Sequence, residues 1–330
     1  MIFGLYKILR QEGVLGINRR NADYILLYNK RHLYPLVDDK LMTKRLAIQA
    51  GLGVPELYGS VEIVRQVRDL PELLNPYQDF VIKPAHGNSG EGILIIAGRN
   101  KRMYRRHNGL LISEEELFHH VTNILSGMYS LGGHPDKALI EYRVQADPLL
   151  ESLTYQGVPD IRIIVFLGFP VMSMVRLPTR MSNGKANLHQ GAIGAGIDMA
   201  TGFTLEAVWQ NDVVNEHPDT GNCVAGVGIP YWDTLLYQAA SCYELTGLGY
   251  QGVDIVLDKQ KGPLILELNA RPGLNIQIAN MAGLLPRLKQ IEREQNKTME
   301  IKERVTYSKR HFGSSPGLQQ IETPGKRGYG

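Results

Sequence analysis

Cysteine is nearly missing: Cys223 and Cys242 are the only two in 330 residues. Two thiols cannot build a disulfide framework, and neither stands at metal-ligand spacing, so a reduced, cytoplasmic setting fits better than a secreted one. No apolar run reaches the ~18 residues that a membrane-spanning helix needs. The opening MIFGLYKILRQEG is too short and interrupted for a signal peptide. Charge of one sign is also lacking. Lys and Arg number 36 against 33 Asp and Glu, a net +3, which is no argument for nucleic acid or an anionic membrane as partner. There is no solenoid-type repeat, no recognisable nucleophilic triad, and no Gly-Lys-Ser/Thr phosphate loop. What remains is ordinary globular composition, 43% hydrophobic and 21% charged, long enough for two or three structural units.

Several elements are marked by their ends. A helix starts after Asp38-Asp39 and runs to Gly51, with Asp suited to the N-cap and Gly to the position after the last turn. PELLNPY reads as a short helix. Ser113 followed by Glu116 is a capping box opening a helix over 113–126. KALIEYRVQ is an apolar strand; DIRIIVF and VMSMVRLP form a hairpin across LGFP. Residues 231–246 have helical apolar spacing and stop at Gly247. Ile2, Leu5, Tyr6, Ile8 and Leu9 fit an amphipathic helix, docked on the fold in preference to lying on a membrane surface. From about 297 the chain turns polar and reads as a flexible tail to 330.

Two places carry chemistry. GVDIVLD and PLILELN flank Lys259-Gln260-Lys261-Gly262. With those four residues as the loop, Asp258 pairs with Pro263 and Asp254 lies opposite Glu267. Strand alternation then puts Asn269 on the same face. Val253, Ile255, Leu257, Leu264, Leu266 and Leu268 make the opposite, core face. Two carboxylates and an amide oxygen converging in this way repel one another unless a cation intervenes, and an all-oxygen set suits Mg²⁺. The second place is FVIKP, a buried-strand pattern ending in Lys83 before HGNSGEG. Gly87, Ser89, Gly90 and Gly92 belong to a turn whose backbone N–H groups can approach phosphates, with Lys83 as a point charge. Taken alone, that turn reads better as a plain hairpin loop, since glycine turns are common.

With GVDIV and GPLILELNARPGL, NLHQG at 187–191, DIR at 160–162, Lys40, Lys83 and LIEY in order along the chain, the sequence resembles the ATP-grasp superfamily. Within it, it is similar to the RimK-related α-L-glutamate ligase-like proteins. The resemblance implies an α+β ATP-grasp fold, two α/β subdomains clasping ATP. Residues 1–39 would be a short N-terminal helical extension in place of a full preceding domain. Residues 40–296 would be the grasp domain, with about 80–140 the smaller subdomain and about 141–296 the larger.

The resemblance also implies roles. Lys40 and Lys83 would grip phosphates. Glu141 would accept from the adenine amino group, beside backbone groups of Tyr142 and Arg143. Asp160 would bond the ribose. Arg162 and Arg176 would face the transferring phosphoryl group, with Asn187 and His189 near the phosphates or the substrate. Asp254, Glu267 and Asn269 would hold one or two Mg²⁺, or Mn²⁺ in substitution. The implied reaction joins a carboxylate to an amine of an amino acid, peptide or protein terminus, with glutamate as a candidate addition. A kinase on the same scaffold and a non-catalytic nucleotide-binding regulator are the competing readings. Two departures fall near the substrate: Gln190 stands where the family has Arg, and Arg271 where it often has Ser. Only 39 residues precede Lys40, so INRRNADYILLYNKRHLY, a partner protein or a second copy would complete the site. Arg19, Arg20 and Arg31 are candidates there for a carboxylate.

Overall fold

The computed structural model describes residues 8–87, 90–100, 103–294 and 297–313. Two antiparallel sheets divide the chain. The smaller has six strands in the order β1-β6-β2-β3-β4-β5. These are β1 (Leu57–Val61), β2 (Phe80–Pro84), β3 (Leu94–Asn100), β4 (Met103–Arg106), β5 (Leu111–Ser113) and β6 (Ala138–Glu141). The larger has seven, in the order β11-β10-β9-β8-β7-β12-β13. Its strands are β7 (Asp160–Phe166), β8 (Phe169–Leu177), β9 (Ile193–Ile197), β10 (Thr204–Trp209), β11 (Asp212–Val214), β12 (Tyr250–Asp258) and β13 (Gly262–Asn269). Each sheet has its own apolar core. Phe80, Ile82, Tyr104 and Val121 centre the smaller; Ile163, Phe166, Val175 and Tyr250 belong to the larger. The smaller sheet begins at Leu57, not near residue 80, because β1 returns to pair with β6.

The marked helix ends hold. Asp39 accepts from the N–H groups of Leu41 (2.8 Å) and Met42 (3.1 Å), opening the helix Lys40–Gln49. Ser113 and Glu116 exchange the two bonds of a capping box ahead of Glu114–Leu125. Trp232–Thr246 ends at Gly247 with φ +67°. The β7–β8 hairpin turns on Leu167-Gly168, both at positive φ (50° and 80°). A two-residue turn of that hand matches strand twist and lets Phe166 pair with Phe169.

One expectation fails. The polar segment after 297 is not all tail. Ile301–Phe312 is a helix that packs on β8 and on Trp232–Thr246, with Val305 and Phe312 buried and Arg304 paired to Glu244. Its apolar stripe is too thin to stand out in sequence; residues 314–330 lie outside the described set. Ile8 and Leu9 are 55% and 43% exposed, and Ile2, Leu5 and Tyr6 lie outside the described residues. Among the described residues no helix is long and apolar enough to cross a membrane.

The N-terminal segment is built into the larger unit. Ile17–Arg19 is α-helical, Arg20–Ile25 widens to a π-helix, and Leu26–Tyr28 tightens again. Tyr24 and Tyr28 set their rings edge-on to Phe166 at 5.5 and 4.9 Å. Phe166→Ala is expected to lower the unfolding free energy by about 3–5 kcal/mol, read by urea denaturation. The same loss with no change in tyrosine fluorescence would deny that this contact anchors the N-terminal segment.

Candidate active site

One cluster is a direct product of register in the larger sheet. Asp160 on β7 pairs with Arg176 on β8. Arg162 on β7 pairs with Asp254 on β12, and Asp254 pairs in turn with Glu267 on β13. Directly opposed side chains share a face a few ångströms apart, so four strands deliver five charges to one spot. Arg176 holds Asp160 in a fork, Nε–Oδ1 and Nη2–Oδ2 both 2.5 Å. Its Nη2 also reaches Asp254 Oδ2 at 2.9 Å. Arg162 forks onto Asp254 at 2.7 and 2.5 Å.

The protonation pattern follows. Burial alone would raise Asp254, but Arg162 and Arg176 outweigh it and hold the carboxyl well below the usual range. Burial pushes Asp160 up to about 6 against the pull of Arg176, which leaves it ionised at neutral pH. Burial would lower Arg176, but Asp160 and Asp254 keep it firmly protonated. Glu267 has no such clamp: burial and the Asp254 charge both raise it. Lys40 and Arg162 pull Glu267 the other way without cancelling that rise.

The hairpin places Asp254 opposite Glu267 as read, though by another route. The loop is Lys259–Lys261, since Asp258 pairs with Gly262, and a bulge at Leu266 restores the offset. Beyond the bulge the faces exchange. Ile265, with Val253, Ile255, Leu257 and Leu268, joins the main core; Leu264 and Leu266 do not. The charge argument is sharpened too. The cations between the carboxylates are arginines, so repulsion alone does not require a metal. Among the described residues no three His, Cys, Asp or Glu side chains gather as a metal site. The donor set nevertheless fits Mg²⁺ brought in with phosphates. Glu267 is not held in an arginine fork as Asp254 is, and Asn269 Oδ1, which accepts from Arg271 N at 2.9 Å, keeps a lone pair. An ion held by so few protein oxygens takes its other ligands from phosphate and water.

A second cluster lies in the smaller sheet. Lys83 Nζ is 2.6 Å from Glu141 Oε1. Lys44 Nζ is 2.7 Å from Glu141 Oε2, close as an ion pair but poorly aligned as a hydrogen bond. All three side chains are buried. Burial alone would raise Glu141; Lys83 and Lys44 hold it below its ordinary value. Sequence reading missed Lys44, although its position one turn after Lys40 was a usable signal. Lys40 joins the clusters. Burial lowers its pKa, the Glu267 charge opposes that, and Lys83 adds to it. Its Nζ donates to the Gly87 carbonyl at 2.6 Å.

The glycine turn is tightly built where it is described. A Cβ on Gly87 would lie 2.2 Å from Pro84 Cγ. Gly90 and Gly92 both have φ +73°, and a Cβ on Gly92 would meet the Tyr129 ring. Ser89 lies outside the described residues.

Other expected positions shift. Asp160 shares Arg176 with Asp254, so its carboxylate belongs to the charged cluster of the larger sheet. The Glu141 carboxylate is turned to two lysines. The Tyr142 N–H donates to Glu56 O at 2.8 Å, and the Arg143 guanidinium pairs with Asp79. Backbone of the Arg143 stretch is then the part left to meet a base edge. Asn187 accepts from His189 N at 3.0 Å, and His189 Nε2 lies 3.4 Å from Asn275 Nδ2, so NLHQG meets the segment after the hairpin. Arg20 is buried and donates to Pro272 O at 2.8 Å, which makes it structural. Arg19 pairs with Asp23 on its own helix. Arg31 is exposed, and Arg271 lies over the Tyr34 ring at 4.7 Å.

The family model described as "Sugar-transfer associated ATP-grasp" matches residues 19–293. No curated protein matches the chain. Among solved structures it is similar to the ATP-grasp ligase PsnB complexed with minimal precursor. The identity is 15%, with 82% of this chain and 63% of that chain covered, TM-score 0.44. For the D-cycloserine synthetase DcsG the figures are 17%, 82%, 74% and 0.44. For D-alanine–D-alanine ligase from Bacillus anthracis complexed with ATP they are 14%, 84%, 67% and 0.43. The chain spans less than two thirds of the PsnB chain.

Arg176→Met strands the buried Asp160 carboxylate and takes one of two arginines from Asp254, and is expected to cost about 3–5 kcal/mol of stability. Arg176→Met/Asp160→Asn should regain part of it in urea denaturation. Equal losses in both variants would show that the two side chains are not coupled.

Proposed function

Because this chain belongs to the sugar-transfer associated ATP-grasp family, we propose that it is a Mg-ATP-dependent carboxylate–amine ligase. The observation that carries the reading is the pair of charged clusters: Asp160, Arg162, Arg176, Asp254 and Glu267 brought together by strand register in the larger sheet, and Lys83 with Glu141 in the smaller, with Lys40 bonded to the carbonyl of Gly87 in the glycine turn. One polyphosphate bound between the two clusters would answer Lys40, Lys83 and the arginines together. Asp254, Glu267 and Asn269 would hold the Mg²⁺. When bound, it supplies Lewis-acid neutralisation of phosphoryl oxygens.

The chain's own groups position and neutralise. A substrate carboxylate oxygen attacks the γ-phosphorus, the bond to the ADP oxygen breaks, and an acyl phosphate forms. Lys40 and Lys83 offset charge on the phosphates, and Arg162 or Arg176 on the transferring group. An amine nitrogen then attacks the acyl carbon. The carbon–oxygen bond to phosphate breaks, the amine proton passes to solvent, and an amide remains. Asn187 and His189, joined through Asn275 to the loop after the hairpin, border the substrate end. Gln190 and Arg271 there set the choice of acid, with glutamate or a similar amino acid as first candidate. The amine would come from an amino acid, a peptide or a protein terminus. We place the reaction in the cytoplasm and allow Mn²⁺ in place of Mg²⁺.

Incubation with Mg-ATP and pooled amino acids should release ADP and phosphate only when acid and amine are both present, with a new amide seen by mass spectrometry. Asp254→Asn and Glu267→Gln should each abolish that turnover. Wild-type rates in both variants would remove the metal assignment; a phosphorylated product that persists without amine would make the protein a kinase.

A further inference from the structure

Lys44 has no part in the reading above, yet it is among the most completely buried charges in the molecule. Its side chain is 4% exposed. Besides Glu141, its ammonium donates to the Pro55 carbonyl. A buried ammonium without partners costs several kcal/mol, so a fold that merely needed bulk here would do better with Met or Leu. The arrangement has an electrostatic consequence. Lys83 and Glu141 alone would make a closed, neutral pair, with the lysine charge spent on its neighbour. With Lys44 present, one carboxylate is divided between two ammonium groups and the row carries a net +1. No second carboxylate answers that charge within the row. The Lys83 end of it abuts the glycine turn, and Lys40 stands nearby.

We propose that Lys44 is a positioning residue for nucleotide binding: by sharing Glu141 with Lys83, it keeps the Lys83 ammonium from being neutralised and so available to a phosphate. This rests on the reading of the cleft as an ATP site. The groups acting on Lys44 are Glu141 on β6 and Lys83 on β2, with Lys40 one turn earlier on its own helix. Burial, only partly offset by Glu141, brings Lys44 down to about 8. Its charge is therefore present below that pH and lost above it, and the row reverts to the neutral pair as the solution becomes alkaline.

The test is Mg²⁺-dependent binding of a fluorescent ATP analogue between pH 7 and 9. Wild-type affinity should fall on the order of tenfold across that window as one nearby charge is lost. Lys44→Met should bind at pH 7 as weakly as the wild type does at pH 9, with a flat profile. Lys44→Arg should restore affinity at pH 7 and stay flat, because arginine does not titrate there. Lys44→Met/Glu141→Gln should bind more tightly than Lys44→Met, since nothing then neutralises Lys83. A wild-type profile without the fall, or a Lys44→Met profile like that of the wild type, overturns the proposal. If Lys44→Met does not fold, the contrast between a sloping wild type and a flat Lys44→Arg decides it. No binding by the wild type at any pH would instead sink the nucleotide reading, and the role of Lys44 with it.

Discussion

Arg176 is the point at which the larger sheet is tied together. From β8 it forks onto Asp160 of β7 and reaches past that strand to Asp254 of β12. A planar guanidinium can do this because its donors leave in fixed directions; an ammonium could serve one carboxylate well but not both at those angles. The bridge also fixes register. A one-residue slip in β7 or β12 would turn these charges into the apolar face, where Ile161, Ile163, Val253 and Ile255 are fully buried. Packing of the core and assembly of the charged site are thus one constraint.

The second cluster has the opposite balance. In the larger sheet three carboxylates meet two arginines; in the smaller, one carboxylate meets two lysines. One cluster is rich in carboxylates and the other in ammonium groups, and Lys40 feels a member of each, the Glu267 carboxylate and the Lys83 ammonium. Under the reading proposed above, a polyanion carrying a divalent cation would match that difference at both ends.

Much of this was legible in the sequence, though not always for the right reason. Asp254 faces Glu267 as alternation says, but a loop one residue shorter than assumed and a bulge at Leu266 cancel each other. Bulges leave little mark in composition, so the exchange of Leu264 for Ile265 on the core face was invisible. Converging acids did signal a cation, yet the first cations present are Arg162 and Arg176, whose positions depend on strand neighbours far away in the chain. The pairing of Asp160 with Arg176 was hidden for the same reason, since only the β7–β8 register shows it. Helix ends were easier, because Asp39, Ser113 and Gly247 act on their own neighbours. Lys44 and the helix Ile301–Phe312 were missed because polar residues become informative only when their burial is known.

The N-terminal segment has a consequence for synthesis. Leu15 N–H donates to Gln277 Oε1, Arg20 to Pro272 O, and Asn29 Nδ2 to the carbonyls of Tyr250 and Ala270. Each bond spans more than 220 residues of chain. At ribosomal speeds of roughly 5–20 residues per second, this segment waits many seconds for the strands it packs against. The smaller sheet, whose strands lie within Leu57–Glu141, can close in the meantime. The larger unit cannot, so its N-terminal aromatic residues emerge early and stay uncovered longest.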